Sequence, residues 1–182
     1  MGVTIQDNEI AALLKENTGR GFRMLVEQYS RRLYWHIRRI VILHEDADDT
    51  LQNTFMNAWK NISAFRNESS LYTWLYTIAT NEALATMNRR KRNSSVSLDE
   101  ISKYFESSEE GAAWFDGDEA QVKLQNAILK LPDKQRVVFN LRYYGEMPYE
   151  EMSKVLGTSE GALKASYHHA VKKIEQNLMR DD

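Results

Sequence analysis

Apolar residues recur along this chain at intervals of three and four and almost nowhere at intervals of two, so the pattern predicts helices from end to end. A first helix over about residues 6–17 turns Ile10, Leu13 and Leu14 inward, with Gly19 placed to end it. A second, over 22–43, carries Leu25, Tyr29, Leu33 and Ile40 on one stripe, with Arg31, Arg32, Arg38 and Arg39 mostly off it. The third, over 46–63, sets Ala47, Leu51, Phe55, Ala58 and Ile62 opposite a polar face of Asp46, Asp49, Gln52 and Asn53. Its first-turn aspartates complement the helix dipole. The fourth starts at Ser69 or Ser70, either of which suits a cap, and runs to about residue 91. Trp74, Leu75 and Ile78 form its seam, and it ends in a basic cluster.

Over residues 93–119 the periodicity lapses into Ser, Glu and Asp with scattered large apolar groups such as Leu98, Phe105 and Trp114. That mixture reads as a flexible connector with at least one docked contact. Four further helices are expected at 120–130, 135–144, 148–156 and 159–178, with Pro132 and Pro148 at helix starts, where a missing N–H costs little. The chain is therefore read as all-α, with two small helical domains, 1–92 and 120–182, joined by linker 93–119.

The 182 residues include no cysteine, two prolines and eight glycines. Disulfides, thiolate catalysis and cysteine-ligated zinc are excluded, and a reducing cytoplasm is the expected compartment. No apolar run approaches the roughly 18 residues that span a bilayer, and Gln6 breaks the myristoylation pattern, so no direct membrane insertion is expected. The net charge of −2 hides a segregation. Residues 1–95 hold 13 Lys/Arg against 10 Asp/Glu, residues 96–120 one against eight, and residues 121–182 ten against eight. Two mildly basic parts flank an acidic connector. Neither part is basic enough to hold nucleic acid tightly by charge alone.

Residues 149–174 have the layout of a helix-turn-helix: a short helix, a tight turn at Gly157-Thr158, and a second helix burying Leu163, Tyr167, Ala170 and Ile174. The outer face of that second helix offers Ser159, Glu160, Lys164, Ala165, His168, His169 and Lys172, a small, polar and basic set suited to base edges in a major groove. His168 and His169 point about 100° apart on a helix and do not converge on a metal. The acidic run at 44–49 lacks the spacing of a metal or acid–base site and suits a basic partner surface. On the fourth helix Thr73, Thr77 and Asn81 share a side flanked by Tyr72 and Tyr76. Those rings suit either core packing or stacking on unpaired bases. Gly-rich phosphate loops, nucleophile elbows and triads are missing, so no enzyme activity, catalytic residue, metal or cofactor is expected.

Two composite signatures resemble one family. The first is Asp46-Ala47-Asp48-Asp49, Gln52, Thr54-Phe55 and Ala58-Trp59, then Phe65-Arg66, Thr73-Trp74-Leu75-Tyr76, Ile78-Ala79 and Asn81. The second is Leu131-Pro132, Arg136-Val137-Val138-Phe139, Leu141-Arg142, Tyr149-Glu150-Glu151-Met152, Leu156-Gly157-Thr158-Ser159 and Gly161-Ala162-Leu163-Lys164. In this order and spacing they resemble the extracytoplasmic-function (ECF) sigma factors of bacterial RNA polymerase.

The resemblance implies a four-helix region-2 domain and a helix-turn-helix region-4 domain. It implies core RNA polymerase as partner, through its β′ clamp and β flap, together with promoter DNA and an anti-sigma protein. Asp46, Asp49, Gln52 and Asn53 fall at the clamp-docking positions, although relatives often have Glu at the Asn53 position. Arg66, Asn67, Ser69 and Ser70 match a loop that captures a flipped base of the minus-ten element, and Thr73, Tyr76, Thr77 and Asn81 match the helix that reads the melted strand. The residues named on the outer face of the last helix would meet the minus-thirty-five element, with Ser166, His169 and Val171 standing where many relatives carry arginines. A stand-alone duplex-binding regulator would leave residues 65–81 without a role, and a decoy would occupy polymerase without initiating.

Overall fold

The computed structural model describes residues 5–65, 70–93 and 119–179. Among these, helices α1 (Ile5–Glu16), α2 (Thr18–Val41), α3 (His44–Asn61) and α4 (Leu71–Asn93) make a bundle, with a 3₁₀ turn at Ile62–Ala64 after α3. The second half folds as α5 (Glu119–Leu129), α6 (Asp133–Tyr143), α7 (Tyr149–Leu156) and α8 (Glu160–Leu178). The docked contact expected of the connector falls outside the described residues.

Gly19 does not separate α1 from α2 as the sequence suggested. Asn17 takes an extended conformation and its side chain accepts from the Arg20 N–H at 3.1 Å, so α2 starts at Thr18 and Gly19 sits in its first turn. Gly21 is the residue that matters there. A Cβ at this position would lie 2.5 Å from the Leu14 backbone nitrogen, so the two helices cross at a distance only glycine permits. At the far end, Ile42 ends α2 with φ 76°, an unusual conformation for a β-branched residue, held by burial and by its N–H donating to the Arg38 carbonyl at 3.0 Å. Ser70 is the cap seen on α4, its Oγ accepting from the Thr73 N–H at 3.0 Å.

The bundle core is the expected stripe of α2 (Leu25, Tyr29, Leu33, Ile40, joined by Ile37) against small residues of its neighbours, Ala47 and Ala58 of α3 and Ala79 and Ala83 of α4. Small side chains let the helix axes approach closely. Polar groups that the periodicity left unassigned are also buried, each with a partner. Thr50 donates to Thr86 at 3.0 Å, Thr54 donates to the Thr50 carbonyl at 2.8 Å, and His36 Nε2 lies 2.8 Å from Thr80 Oγ1.

In the second half, Pro148 precedes α7, and Gly157 at φ 60° makes the left-handed turn into α8. Leu163, Ala170 and Ile174 of α8 are buried, the latter two beside Phe139, Ile128 and Leu131.

The halves are not independent. Val137, Val138, Leu141, Met152 and Val155 join the same apolar cluster as α2 and α4. Arg136, 1% exposed, reaches across the seam: its guanidinium donates to the Ile40 carbonyl at 3.4 Å and the Met87 sulfur at 3.3 Å, and pairs with Asp133. Asn140 donates to the Arg39 carbonyl at 3.1 Å, and Lys91 pairs with Asp133. The end of α2 is thus capped by side chains from α6. Arg38, expected mostly off the buried stripe with the other arginines of α2, is only 2% exposed.

Candidate functional site

The polar face of α3 and the last turns of α4 enclose an open cleft of about 460 Å³. It gathers all four of the expected partner-binding residues, Asp46, Asp49, Gln52 and Asn53, beside Thr86, Arg89 and Arg90. Asp49 and Gln52 are exposed, whereas Asp46 is half-buried and ion-paired with Arg90. That pair spends the Asp46 carboxylate within the molecule and braces the two helices. A free carboxylate, a free amide and the flanking Arg89 remain for an outside surface. The sequence analysis gave the basic end of α4 no part in this surface. The spacing of Thr86, Arg89 and Arg90 at three and four marks a single helix face and was the available signal.

Of the residues expected to meet unpaired bases, Arg66, Asn67 and Ser69 lie outside the described residues. Ser70 is half-buried and shares a 2.8 Å hydrogen bond with the Thr73 hydroxyl. Thr73 and Tyr76 are buried, at 3% and 6% exposure. Thr77 is half-buried, donating to the Thr73 carbonyl at 2.8 Å, and Asn81 is exposed. The Tyr72 ring lies 4.2 Å from that of Tyr76, and burial pushes both phenols above their ordinary range, keeping them neutral. In this arrangement α7 packs over α4, with Glu151 close enough for its charge to act on Tyr72.

On α8, Ser159 caps the helix by accepting from the Ala162 N–H at 3.4 Å, and Glu160 pairs with Lys164 at 3.3 Å. Ala165, His168, His169 and Lys172 are all exposed along one side. The two imidazoles are 6.0 Å apart and tilted, and among the described residues no group of three His, Asp or Glu is placed to hold a metal. Helix α8 therefore presents an accessible polar strip, held by an apolar face against α6 and α7.

The Sigma-70 region 2 model matches residues 25–93, and the Sigma-70, region 4 model matches residues 121–174. RNA polymerase sigma factor YlaC of Bacillus subtilis is 31% identical over 165 residues, covering 86% of this chain and 91% of the relative. The chain belongs to the ECF sigma factors. Its place in that family carries a role in promoter-specific transcription initiation. The RNA polymerase sigma-H factor of Pseudomonas aeruginosa is 28% identical, with 95% of this chain and 94% of the relative covered. ECF sigma factor SigW of Bacillus subtilis is 27% identical at 91% and 92% coverage. Among solved structures, CnrH in complex with the cytosolic domain of CnrY matches with a TM-score of 0.72 at 24% identity, over 97% of this chain and 99% of that one. Sigma factor RpoE of Bartonella quintana, in complex with the anti-sigma factor NepR, matches at 0.67 and 22% identity, over 88% and 98%. These two likenesses support the all-α, two-domain fold of the sigma factor. Among its described residues no helix is long and apolar enough to cross a membrane.

Proposed function

We propose that this sigma factor is a dissociable promoter-specificity subunit whose two domains divide the work. Residues 1–92 dock on the β′ clamp of core RNA polymerase through Asp49, Gln52 and Asn53, with Asp46 bracing that surface through Arg90. The same domain captures and reads the melted minus-ten strand with Arg66, Asn67, Ser69 and Ser70 and with Thr73, Tyr76, Thr77 and Asn81. Residues 120–182 hold the minus-thirty-five element as duplex through Lys164, Ala165, His168, His169 and Lys172, and meet the β flap. The acidic linker 93–119 connects the two inside the cytoplasm, and an anti-sigma protein restrains the free subunit, as CnrY and NepR pair with the sigma factors they accompany.

One observation carries this reading: the α3–α4 cleft collects the docking residues on one exposed face while the apolar stripe of α3 points the other way. Charge supports it. A chain of net −2 gains too little from phosphate neutralisation to hold a promoter alone. A polymerase that positions both domains turns two weak contacts into one strong one. The test is transcription from a promoter library with purified core enzyme. Wild-type protein yields start sites absent from core alone, and Asp49→Lys with Gln52→Ala loses them together with retention on immobilised core. Retention without any transcript would identify a decoy, and tight duplex binding without polymerase would identify a stand-alone regulator.

A further inference from the structure

The open cleft between α3 and α4 carries charges of both signs. Asp46 and Arg90 neutralise each other across it. Asp49 and Arg89, both exposed, line the same cleft, yet neither forms an ion pair among the described residues. The cleft therefore holds one open carboxylate and one open guanidinium apart, with the Gln52 and Asn53 amides beside them. Its carboxylates and guanidiniums balance, so a purely basic partner surface is not its complement. Arg89 is also held in place. Its Nη2 donates to the Thr86 hydroxyl at 3.3 Å, and the same oxygen accepts from Thr50 Oγ1 at 3.0 Å. Thr50 is fully buried in α3, and its carbonyl accepts from the Thr54 hydroxyl at 2.8 Å. Hydrogen bonds thus run from the buried side of α3 to the guanidinium on α4 and set where that charge stands.

We infer that Arg89 is a further docking residue of this face, meeting an acidic side chain on the polymerase clamp next to the basic one that meets Asp49, and that Thr86 is its positioning residue. The inference rests on the proposed docking of core RNA polymerase at this cleft, and it names the charge pattern of the surface that docks. Opposite charges across an interface steer approach and fix register, whereas like charges set against each other are costly. A surface with basic groups alone would meet Arg89 as a like charge and would be turned away. Two unlike contacts, one on each helix, also orient the partner, which a row of carboxylates on α3 alone would not do. The acidic run of α3 is offered to a basic group, and α4 supplies the opposite sign.

The experiment titrates the fluorophore-labelled full chain with purified core RNA polymerase, read by anisotropy, at about 0.1 M and about 1 M salt. Arg89→Ala is expected to weaken binding about two- to fivefold at the lower salt, and Arg89→Glu about tenfold, with both losses shrinking at the higher salt. Arg89→Lys keeps most of the affinity. Thr86→Val weakens binding about twofold while Thr86→Ser retains it, and in the Arg89→Ala background Thr86→Val costs nothing further. A merely structural threonine would cost the same in both backgrounds. Tighter or unchanged binding by Arg89→Ala overturns the acidic contact, because a wholly basic clamp surface gains when that cation is removed. Equal losses from Thr86→Val in the two backgrounds, or none in either, overturn the positioning role. Failure here is separable from failure of the proposed function: a loss with Asp49→Lys but none with Arg89→Ala sinks this inference alone. A loss with Arg89→Ala but none with Asp49→Lys sinks the docking role of Asp49 and leaves Arg89 standing, and absence of binding by the wild type sinks both.

Discussion

His36 makes the fold sensitive to acid in a way that one substitution removes. The imidazole is buried between α2 and α4, 2.8 Å from the Thr80 hydroxyl and 4.8 Å from the Tyr76 ring centre. Burial foremost, and then the Arg39 charge, hold its pKa at about 3 rather than the ordinary 6.5. The folded chain therefore keeps His36 neutral across a range in which the unfolded chain takes up a proton. Where the unfolded state binds more protons, stability rises with pH. The contribution is accordingly complete above pH 6.5 and is lost progressively as pH falls toward 3. Each pH unit well inside that window costs about 1.4 kcal/mol, so the passage from pH 7 to pH 5 removes about 2 kcal/mol, a factor of about 30 in the folding constant. His36→Gln keeps a hydrogen-bonding group near Thr80 and has no proton to gain. Urea unfolding of both proteins at half-unit steps from pH 7.5 to 5 cancels the carboxylates they share. The wild-type stability is expected to fall relative to His36→Gln by about 2 kcal/mol between pH 7 and pH 5. Parallel stability curves for the two proteins would refute the buried, neutral histidine.

Other substitutions test other joints. Gly21→Ala drives a methyl into the Leu14 backbone and is expected to cost about 1–3 kcal/mol in urea unfolding. Gly19→Ala, whose Cβ meets only the Asn17 side chain at 3.7 Å, is expected to stabilise by about 0.5–1 kcal/mol. Arg136→Met removes the guanidinium that caps the end of α2 and leaves the Ile40 carbonyl without that donor. It is expected to lower stability by about 1–3 kcal/mol and to speed hydrogen exchange at the last turn of α2. Arg90→Ala frees the Asp46 carboxylate, and because the pair is partly exposed the expected cost is under about 1 kcal/mol. Core-polymerase retention should persist in that variant if Asp49 and Gln52 carry the docking.

Helices were legible because their apolar positions repeat with the right period, and Leu25, Tyr29, Leu33 and Ile40 are all buried in α2 as that period requires. Errors collected where a single local rule was trusted. Gly19 reads as a terminator, yet Asn17 supplies a cap, and a cap outweighs one glycine in a first turn. The burial of Arg136 and Asn140 was not legible, since periodicity within α6 does not reveal that their side chains meet carbonyls at the end of α2. That Asp46, Asp49, Gln52 and Asn53 share one surface was legible because they lie on one side of one helix, and the four line one cleft. Of the residues that the resemblance assigns to the melted strand, Thr73 and Tyr76 are buried and Asn81 is exposed, and periodicity alone does not say which of them the packing of a second domain leaves accessible.

That dependence bears on how the free chain stays quiet. A partner that binds only the undocked arrangement shifts the population by its differential affinity and by nothing else. Docking at the α3–α4 cleft supplies no such difference by itself, because that cleft faces solvent in this arrangement while Thr73 and Tyr76 are buried elsewhere on α4. On the proposed function, docking through Asp49 and Gln52 does not wait for the domains to part, because both side chains are already exposed. In this arrangement Arg136 and Asn140 of α6 donate to the Ile40 and Arg39 carbonyls and satisfy the end of α2 away from water. On the proposed function, clamp docking precedes contact with the strand, because the α3–α4 cleft is open while Thr73 and Tyr76 are buried.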